Sequence, residues 1–190
     1  DDVEQALPLA ETLIRNGMPI AEVTLRSDAA LESIELISRE FPEMLMIAGT
    51  VLNPEQADKA VRAGADMVVS PGFNPATVAH CVENNIAIIP GVVTPGEMEQ
   101  AMMHGLNMVK FFPAEANGGV NFLKAVGAPY RNLQFMPTGG INPENIHSYL
   151  ALKQVVCCGG SWMVKPELIR EGRWEELGRL VKEAIELVNS

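Results

Sequence analysis

Cysteine is scarce in this chain of 190 residues, with Cys81, Cys157 and Cys158 the three present. The number is odd, two are neighbours, and no Cys-x-x-Cys spacing occurs. That argues against a disulfide framework or a zinc site and for a reducing, cytoplasmic setting. Histidine is equally sparse. His80, His104 and His147 fall on separate expected helices without carboxylates at ligand spacing, so neither a metal nor another cofactor is expected. Basic charge is in deficit, 14 Lys and Arg against 24 Asp and Glu, for a net charge of −10. A nucleic-acid partner is therefore not expected, since such binding needs a basic surface. A small anionic ligand remains compatible, because a local pocket can oppose the global charge. No apolar run approaches the ~20 residues of a membrane-spanning helix, so no membrane partner is expected. The chain starts at Asp1-Asp2, with neither Met nor a signal-like stretch, and is expected to begin inside something longer.

What is present reads as an ordinary globular chain, 47% apolar and 20% charged, of a length that suits one domain over residues 1–190. Val3, Ala6, Leu7, Ala10, Leu13 and Ile14 recur at helical spacing, and Gly17 is a natural stop. Strand-type runs follow at 20–25, 44–49, 66–70, 86–90, 107–112, 133–137 and 155–158, with helices between them and a last helix over about 173–188. Asn53-Pro54, Asn74-Pro75, Thr94-Pro95 and Asn142-Pro143 each set a capping side chain before proline. Gln56 and Glu97 stand three residues after their caps, at capping-box spacing.

Successive strands begin roughly 20 to 26 residues apart, the grammar of a parallel sheet covered by helices. The class is thus α/β, and the choice lies between an open doubly wound sheet and a (β/α)8 TIM barrel. No Gly-x-Gly-x-x-Gly follows the first strand, which counts against a dinucleotide-binding sheet. We read a barrel of which seven strands are visible, its N-terminal strand expected to be cut away before Asp1, unobserved or provided by another segment.

Lys110 interrupts the apolar run Asn107-Met-Val-Lys-Phe-Phe-Pro113. A lysine on an exposed edge strand would be unremarkable. A buried one is seldom without a partner or a task, and a neutral amine forms a Schiff base with a carbonyl. Glu22, Thr24 and Arg26 alternate on one face of the first strand. In a barrel that face points inward, where Glu22 can move protons and Arg26 can grip a carboxylate. On a half-solvated strand the same residues would carry no chemistry. Thr50 adds a hydroxyl at the end of the second strand, and Ser70-Pro71-Gly72 ends the third. Thr138-Gly139-Gly140 and Gly159-Gly160-Ser161 follow the last two strands, where barrels of this kind often bind phosphate. Either pair of glycines is also compatible with a simple tight turn. Cys157-Cys158 lies in an apolar stretch and is read as packing rather than as a nucleophile.

Five segments together, Glu22-Val-Thr-Leu-Arg26, Ala48-Gly-Thr-Val-Leu-Asn53, Lys110-Phe-Phe-Pro-Ala-Glu115, Pro137-Thr-Gly-Gly-Ile141 and Gly159-Gly-Ser-Trp162, closely resemble the 2-keto-3-deoxy-6-phosphogluconate (KDPG) aldolase, or 4-hydroxy-2-oxoglutarate aldolase, family. The resemblance implies a homotrimeric barrel and a metal-independent class I aldolase. That enzyme would cleave its phosphorylated keto-acid to pyruvate and glyceraldehyde 3-phosphate in the Entner–Doudoroff route. By the same resemblance Lys110 is the Schiff-base lysine and Glu22 the acid/base. Arg26, Thr50 and Thr138 hold the pyruvate end, and Gly139, Gly140, Gly159, Gly160 and Ser161 the phosphate. Phe112 and Pro71 line the pocket. An unphosphorylated substrate such as 4-hydroxy-2-oxoglutarate, a metal-dependent aldolase and a non-catalytic barrel scaffold are the alternatives; the absence of clustered ligands disfavours the second.

Overall fold

Parallel strands alternate with helices along the whole chain in the structure, a computed structural model that describes residues 2–190. A short 3-10 turn, Val3–Gln5, leads into α1 (Ala6–Arg15). Then come β1 (Ile20–Thr24), α2 (Ala30–Glu40), β2 (Leu45–Gly49), α3 (Pro54–Arg62), β3 (Met67–Val69) and α4 (Pro75–Glu83). The middle of the chain forms β4 (Ile88–Ile89), β5 (Gly91–Val92), α5 (Pro95–Met103), β6 (Met108–Phe111), α6 (Gly119–Gly127) and β7 (Gln134–Pro137). It ends with α7 (Ile146–Leu150), α8 (Pro166–Arg170) and α9 (Trp174–Asn189).

The helix starts obey local chemistry. Asn53 Oδ1 accepts the Gln56 N–H at 2.9 Å, and Asn74 Oδ1 accepts those of Ala76 and Thr77. Thr94 and Glu97 complete a capping box: the Thr94 hydroxyl takes the Glu97 N–H, while the Glu97 carboxylate takes the Thr94 N–H at 2.8 Å. Gln56 reaches one residue further back instead, accepting from the Leu52 N–H at 2.7 Å. Such caps are each worth about 1 kcal/mol. At Asn142-Pro143 the helix begins later than the sequence suggests. Asn142 turns the chain by accepting the Glu144 N–H, and α7 starts only at Ile146.

The chain packs as two compact units. One comprises the residues up to Val68 together with Ser161–Ser190. Its strands β1 and β2 pair in parallel from Ile20↔Leu45 to Thr24↔Gly49, and β2 pairs with β3 through Ile47↔Met67 and Ala48↔Val68. Helix α1 lies against α2 and α9. Ala10 and Leu13 of α1 are buried, as are Leu177, Val181 and Ala184 of α9. Each such leucine or valine contributes about 1.5–3 kcal/mol of burial.

The other unit is Val69–Gly160. Here β6 is the middle strand, flanked in parallel by β5 through Gly91↔Lys110 and Val92↔Phe111, and by β7 from Met108↔Gln134 to Phe111↔Pro137. Val109, Phe111 and Phe135 are fully or almost fully buried, and Phe111 stacks on Phe122 of α6 with ring centroids 5.1 Å apart.

Two strands depart from the sequence expectation. Of the run at 86–90 only Ile88–Ile89 is strand, and Pro90, which has no N–H to give the ladder, separates this β4 from β5 just beyond the run. The run at 155–158 is no strand at all. One isolated bridge, Phe135↔Val155, joins it to β7, and a second, Thr138↔Gly159, lies just past the ends of both. Val156 and Gly159 donate to Phe135 and Pro137, and Pro137 cannot donate in return. Hydrogen-bonded closure of the strands into a ring is not seen among the described residues.

Candidate active site

In the first unit, Glu22 projects from β1 across the backbone of Gly49 on β2. A Cβ built at Gly49 would fall 2.1 Å from Glu22 Oε1 and 2.8 Å from its Cδ and Cγ. Only a residue without a side chain lets the carboxylate lie there. Thr50 follows with φ 59°, left-handed for a β-branched residue, a conformation that costs about 1–3 kcal/mol and that collects at functional positions. Arg26 stands just past β1, exposed, its Nε donating to Thr24 Oγ1 at 3.1 Å. Arg26 and Thr50 thus stand just past the C-terminal ends of two adjacent parallel strands, and Glu22, from the middle of β1, lays its carboxylate on Gly49, the last residue of β2. Ser161 belongs to the same unit and is exposed.

In the second unit, Lys110 is 5% exposed on the central strand. Its backbone N–H donates to Pro90 O at 2.9 Å, and its flanking partners are Gly91 and Met136. The lysine Nζ lies 5.1 Å from the centroid of the Phe112 ring. Pro71 packs on the neighbouring strand β5 at Gly91, the register partner of Lys110, where a Cβ would fall 2.2 Å from Pro71 O. The edge-strand alternative for Lys110 is therefore excluded. Its strand has a neighbour on both sides, and its side chain is buried.

The 138–140 turn is tied to the end of the Lys110 strand. Thr138 N–H donates to Phe111 O at 3.0 Å, Ala114 N–H to Thr138 O at 2.9 Å, and Glu115 N–H to Gly139 O at 3.1 Å. Gly139 and Gly140 both take left-handed backbone, φ 96° and 86°, which glycine adopts without steric cost. Successive N–H groups in such a turn suit an anion. Thr138 Oγ1 is, among the described residues, the buried side-chain oxygen or nitrogen with no hydrogen-bond partner. Gly159 sits against it: a Cβ there would come within 2.7 Å of that oxygen. Gly160 follows, exposed.

The remaining candidates lie apart from this chemistry. His80 lies in the last turn of α4, His104 packs its ring 6.0 Å from that of Phe73, and His147 is exposed. Among the described residues no group of three or more His, Cys, Asp and Glu is disposed to hold a metal ion, and no helix is long and apolar enough to cross a membrane. Cys157 is exposed and Cys158 half-buried, so neither is the core residue the sequence suggests. Burial nevertheless raises the Cys157 thiol, and burial with the neighbouring Cys157 pushes Cys158 up to about 12. Both therefore stay protonated and weakly nucleophilic at neutral pH. The sequence reading missed one pair: Tyr149, on α7, donates a short hydrogen bond to Glu115 Oε1.

The aldolase family described as KDPG and KHG aldolase matches residues 1–180. The 2-dehydro-3-deoxy-phosphogluconate aldolase of Haemophilus influenzae is 50% identical over 188 residues, covering 99% of this chain and 89% of that protein. The KHG/KDPG aldolase of Escherichia coli K12 is 44% identical over 184 residues, 97% of this chain and 86% of that one. Among solved structures, the KDPG aldolase of Legionella pneumophila, with pyruvate captured as a covalent carbinolamine intermediate, superposes with a TM-score of 0.94 at 40% identity, covering 96% of this chain and 89% of that one. With a lysine buried on the middle strand of a three-stranded parallel sheet, and with likeness along essentially its whole length, this chain belongs to the KDPG and KHG aldolase family.

Proposed function

We propose that this chain is a class I pyruvate aldolase that cleaves 2-keto-3-deoxy-6-phosphogluconate to pyruvate and glyceraldehyde 3-phosphate through an imine on Lys110. The observation that carries the reading is the burial of Lys110 at the middle of three parallel strands, beside an aromatic ring. The pyruvate carbinolamine of the Legionella relative supports the same chemistry.

In the proposed reaction the neutral Lys110 amine adds to the C2 ketone. The carbinolamine loses water and becomes a protonated imine, which serves as an electron sink. Glu22 takes the proton of the C4 hydroxyl. The C3–C4 bond breaks, its electron pair passing into the imine to give an enamine, and glyceraldehyde 3-phosphate leaves. Protonation of the enamine at C3 and hydrolysis of the imine release pyruvate and restore Lys110. Arg26, Thr50 and Thr138 are assigned to the pyruvate end, with Phe112 and Pro71 as lining. Gly139, Gly140, Gly159, Gly160 and Ser161 are assigned to the phosphate. Anchoring both ends of the substrate is the orientation effect that makes the central bond reactive.

The same site takes 4-hydroxy-2-oxoglutarate as its second substrate, a reading favoured by the double name of the Escherichia coli relative. A homotrimer in the cytoplasm completes the proposal and rests on the family resemblance. Borohydride reduction with pyruvate tests the central step. A stable adduct is expected on the peptide carrying Lys110 and is absent in Lys110→Met. No adduct in the parent chain, or an adduct elsewhere, overturns the imine.

A further inference from the structure

Glu115 ends the lysine segment without a role in the reaction, and Tyr149 lies 34 residues away. Their side chains meet. Tyr149 has no exposed surface, and its hydroxyl donates to Glu115 Oε1. Burial first, then the hydrogen bond to Glu115 and its charge, push the phenol upward, so it stays a donor. Around this bond the backbone is bare. A Cβ at Gly119 would fall 2.9 Å from both Glu115 Oε1 and the Tyr149 oxygen.

Glu115 also touches the glycine turn in two ways. Its N–H donates to Gly139 O at 3.1 Å. Its stem covers Gly140, where a Cβ would fall 2.7 Å from Glu115 Cβ and 2.6 Å from its Cγ. From the other side, Asn145 Nδ2 donates to Gly140 O at 2.9 Å. Consecutive left-handed glycines have the widest backbone freedom of any dipeptide. Donors aimed at an anion act best when held in place beforehand.

We infer that Tyr149 and Glu115 are positioning residues for substrate phosphate: the Tyr149 hydroxyl holds the Glu115 stem on Gly140 and thereby sets the Gly139-Gly140 turn. This rests on the aldolase reading above. Neither side chain is assigned a contact with substrate. Their effect falls on the phosphorylated end and not on the imine.

The test compares KM for 2-keto-3-deoxy-6-phosphogluconate with KM for unphosphorylated 4-hydroxy-2-oxoglutarate in the full chain and in Tyr149→Phe. The ratio of the two KM values rises roughly tenfold in the variant, the size of a lost hydrogen bond to a charged group. Glu115→Gln keeps an acceptor for Tyr149 and a stem on Gly140, and its ratio stays within about twofold of the parent. An unchanged ratio in Tyr149→Phe, or an equal rise for both substrates, overturns the inference. If Tyr149→Phe fails to fold, Glu115→Ala at an exposed side chain gives the same shift of ratio, and the same two results overturn it.

A parent chain that cleaves neither substrate sinks the aldolase reading instead. Amide hydrogen exchange over 138–140 then decides this inference, with inorganic phosphate as the probe. Phosphate protection present in the parent and lost in Tyr149→Phe supports it. Equal protection in both, or none in the parent, overturns it.

Discussion

Lys110 Nζ stands 5.1 Å from the centre of the Phe112 ring, two residues along the same chain. Phe112 stands in the turn just past β6, so the chain leaving the strand brings the ring to the amine. A ring face attracts a positive charge at that distance, worth about 0.5–1 kcal/mol in a wet setting and about 2 when dry. An iminium on Lys110 is such a charge. Phe112→Leu is expected to slow formation of the borohydride-trapped pyruvate adduct about three- to tenfold, by removing that attraction. An unchanged trapping rate would remove the ring from this role.

Thr138 leaves a buried hydroxyl without a partner. An unmatched polar group costs about 1–3 kcal/mol where it is buried. Thr138→Val keeps the shape and discards the oxygen. Urea unfolding should show a chain as stable as the parent or more stable by about 1 kcal/mol, while kcat/KM for cleavage falls about tenfold or more as a hydrogen bond to substrate is lost. Destabilisation together with unaltered activity would mean that the hydroxyl serves the fold.

Gly49 is the bed on which the Glu22 carboxylate lies. A methyl group there meets the far end of an exposed, flexible side chain, so the fold can yield cheaply. Gly49→Ala is expected to leave the melting temperature within a few degrees and to lower kcat by ~10²-fold, the lower range for loss of a general base. Pyruvate trapping on Lys110 should persist, because that step is assigned to the amine. Wild-type turnover in this variant would contradict the role of Glu22.

Stability should also carry a pH signature from α5. Burial works against ionisation of Glu97, but the N–H groups of Thr94 and Val93 and the Thr94 hydroxyl outweigh it and hold the carboxyl below its usual 4.5. A depressed folded value means the capping box contributes fully above about 4.5. The contribution fades as pH falls below that value and through the lower folded one. Glu97→Gln should flatten this part of the stability curve and cost less than about 1 kcal/mol near neutral pH, since Gln retains one acceptor for the cap. Chemical denaturation from pH 6 down to pH 3 reads it. A variant that loses stability with acid as steeply as the parent would place the effect elsewhere.

The alternation of strands and helices was readable from local features, because caps, apolar runs and helix stops act over a few residues. Asn53, Asn74 and Thr94 cap where their spacing says they should. Asn142 did not start its helix at once, since its side chain satisfied a turn first. Lys110 could be singled out as a charge within an apolar run, but the same letters suit an edge strand. Pairing with β5 on one side and β7 on the other decided between the two.

By itself the amino-acid order determined which residue types carry the chemistry and the period in which strands and helices recur. Both are local properties of covalent spacing and side-chain polarity. Only the tertiary structure decided that Glu22 lies on Gly49, that the run before Gly159 joins β7 by a single bridge and not by a ladder, and that Tyr149 meets Glu115 across 34 residues. Those relationships depend on where distant backbone segments converge, and no local propensity encodes that distance.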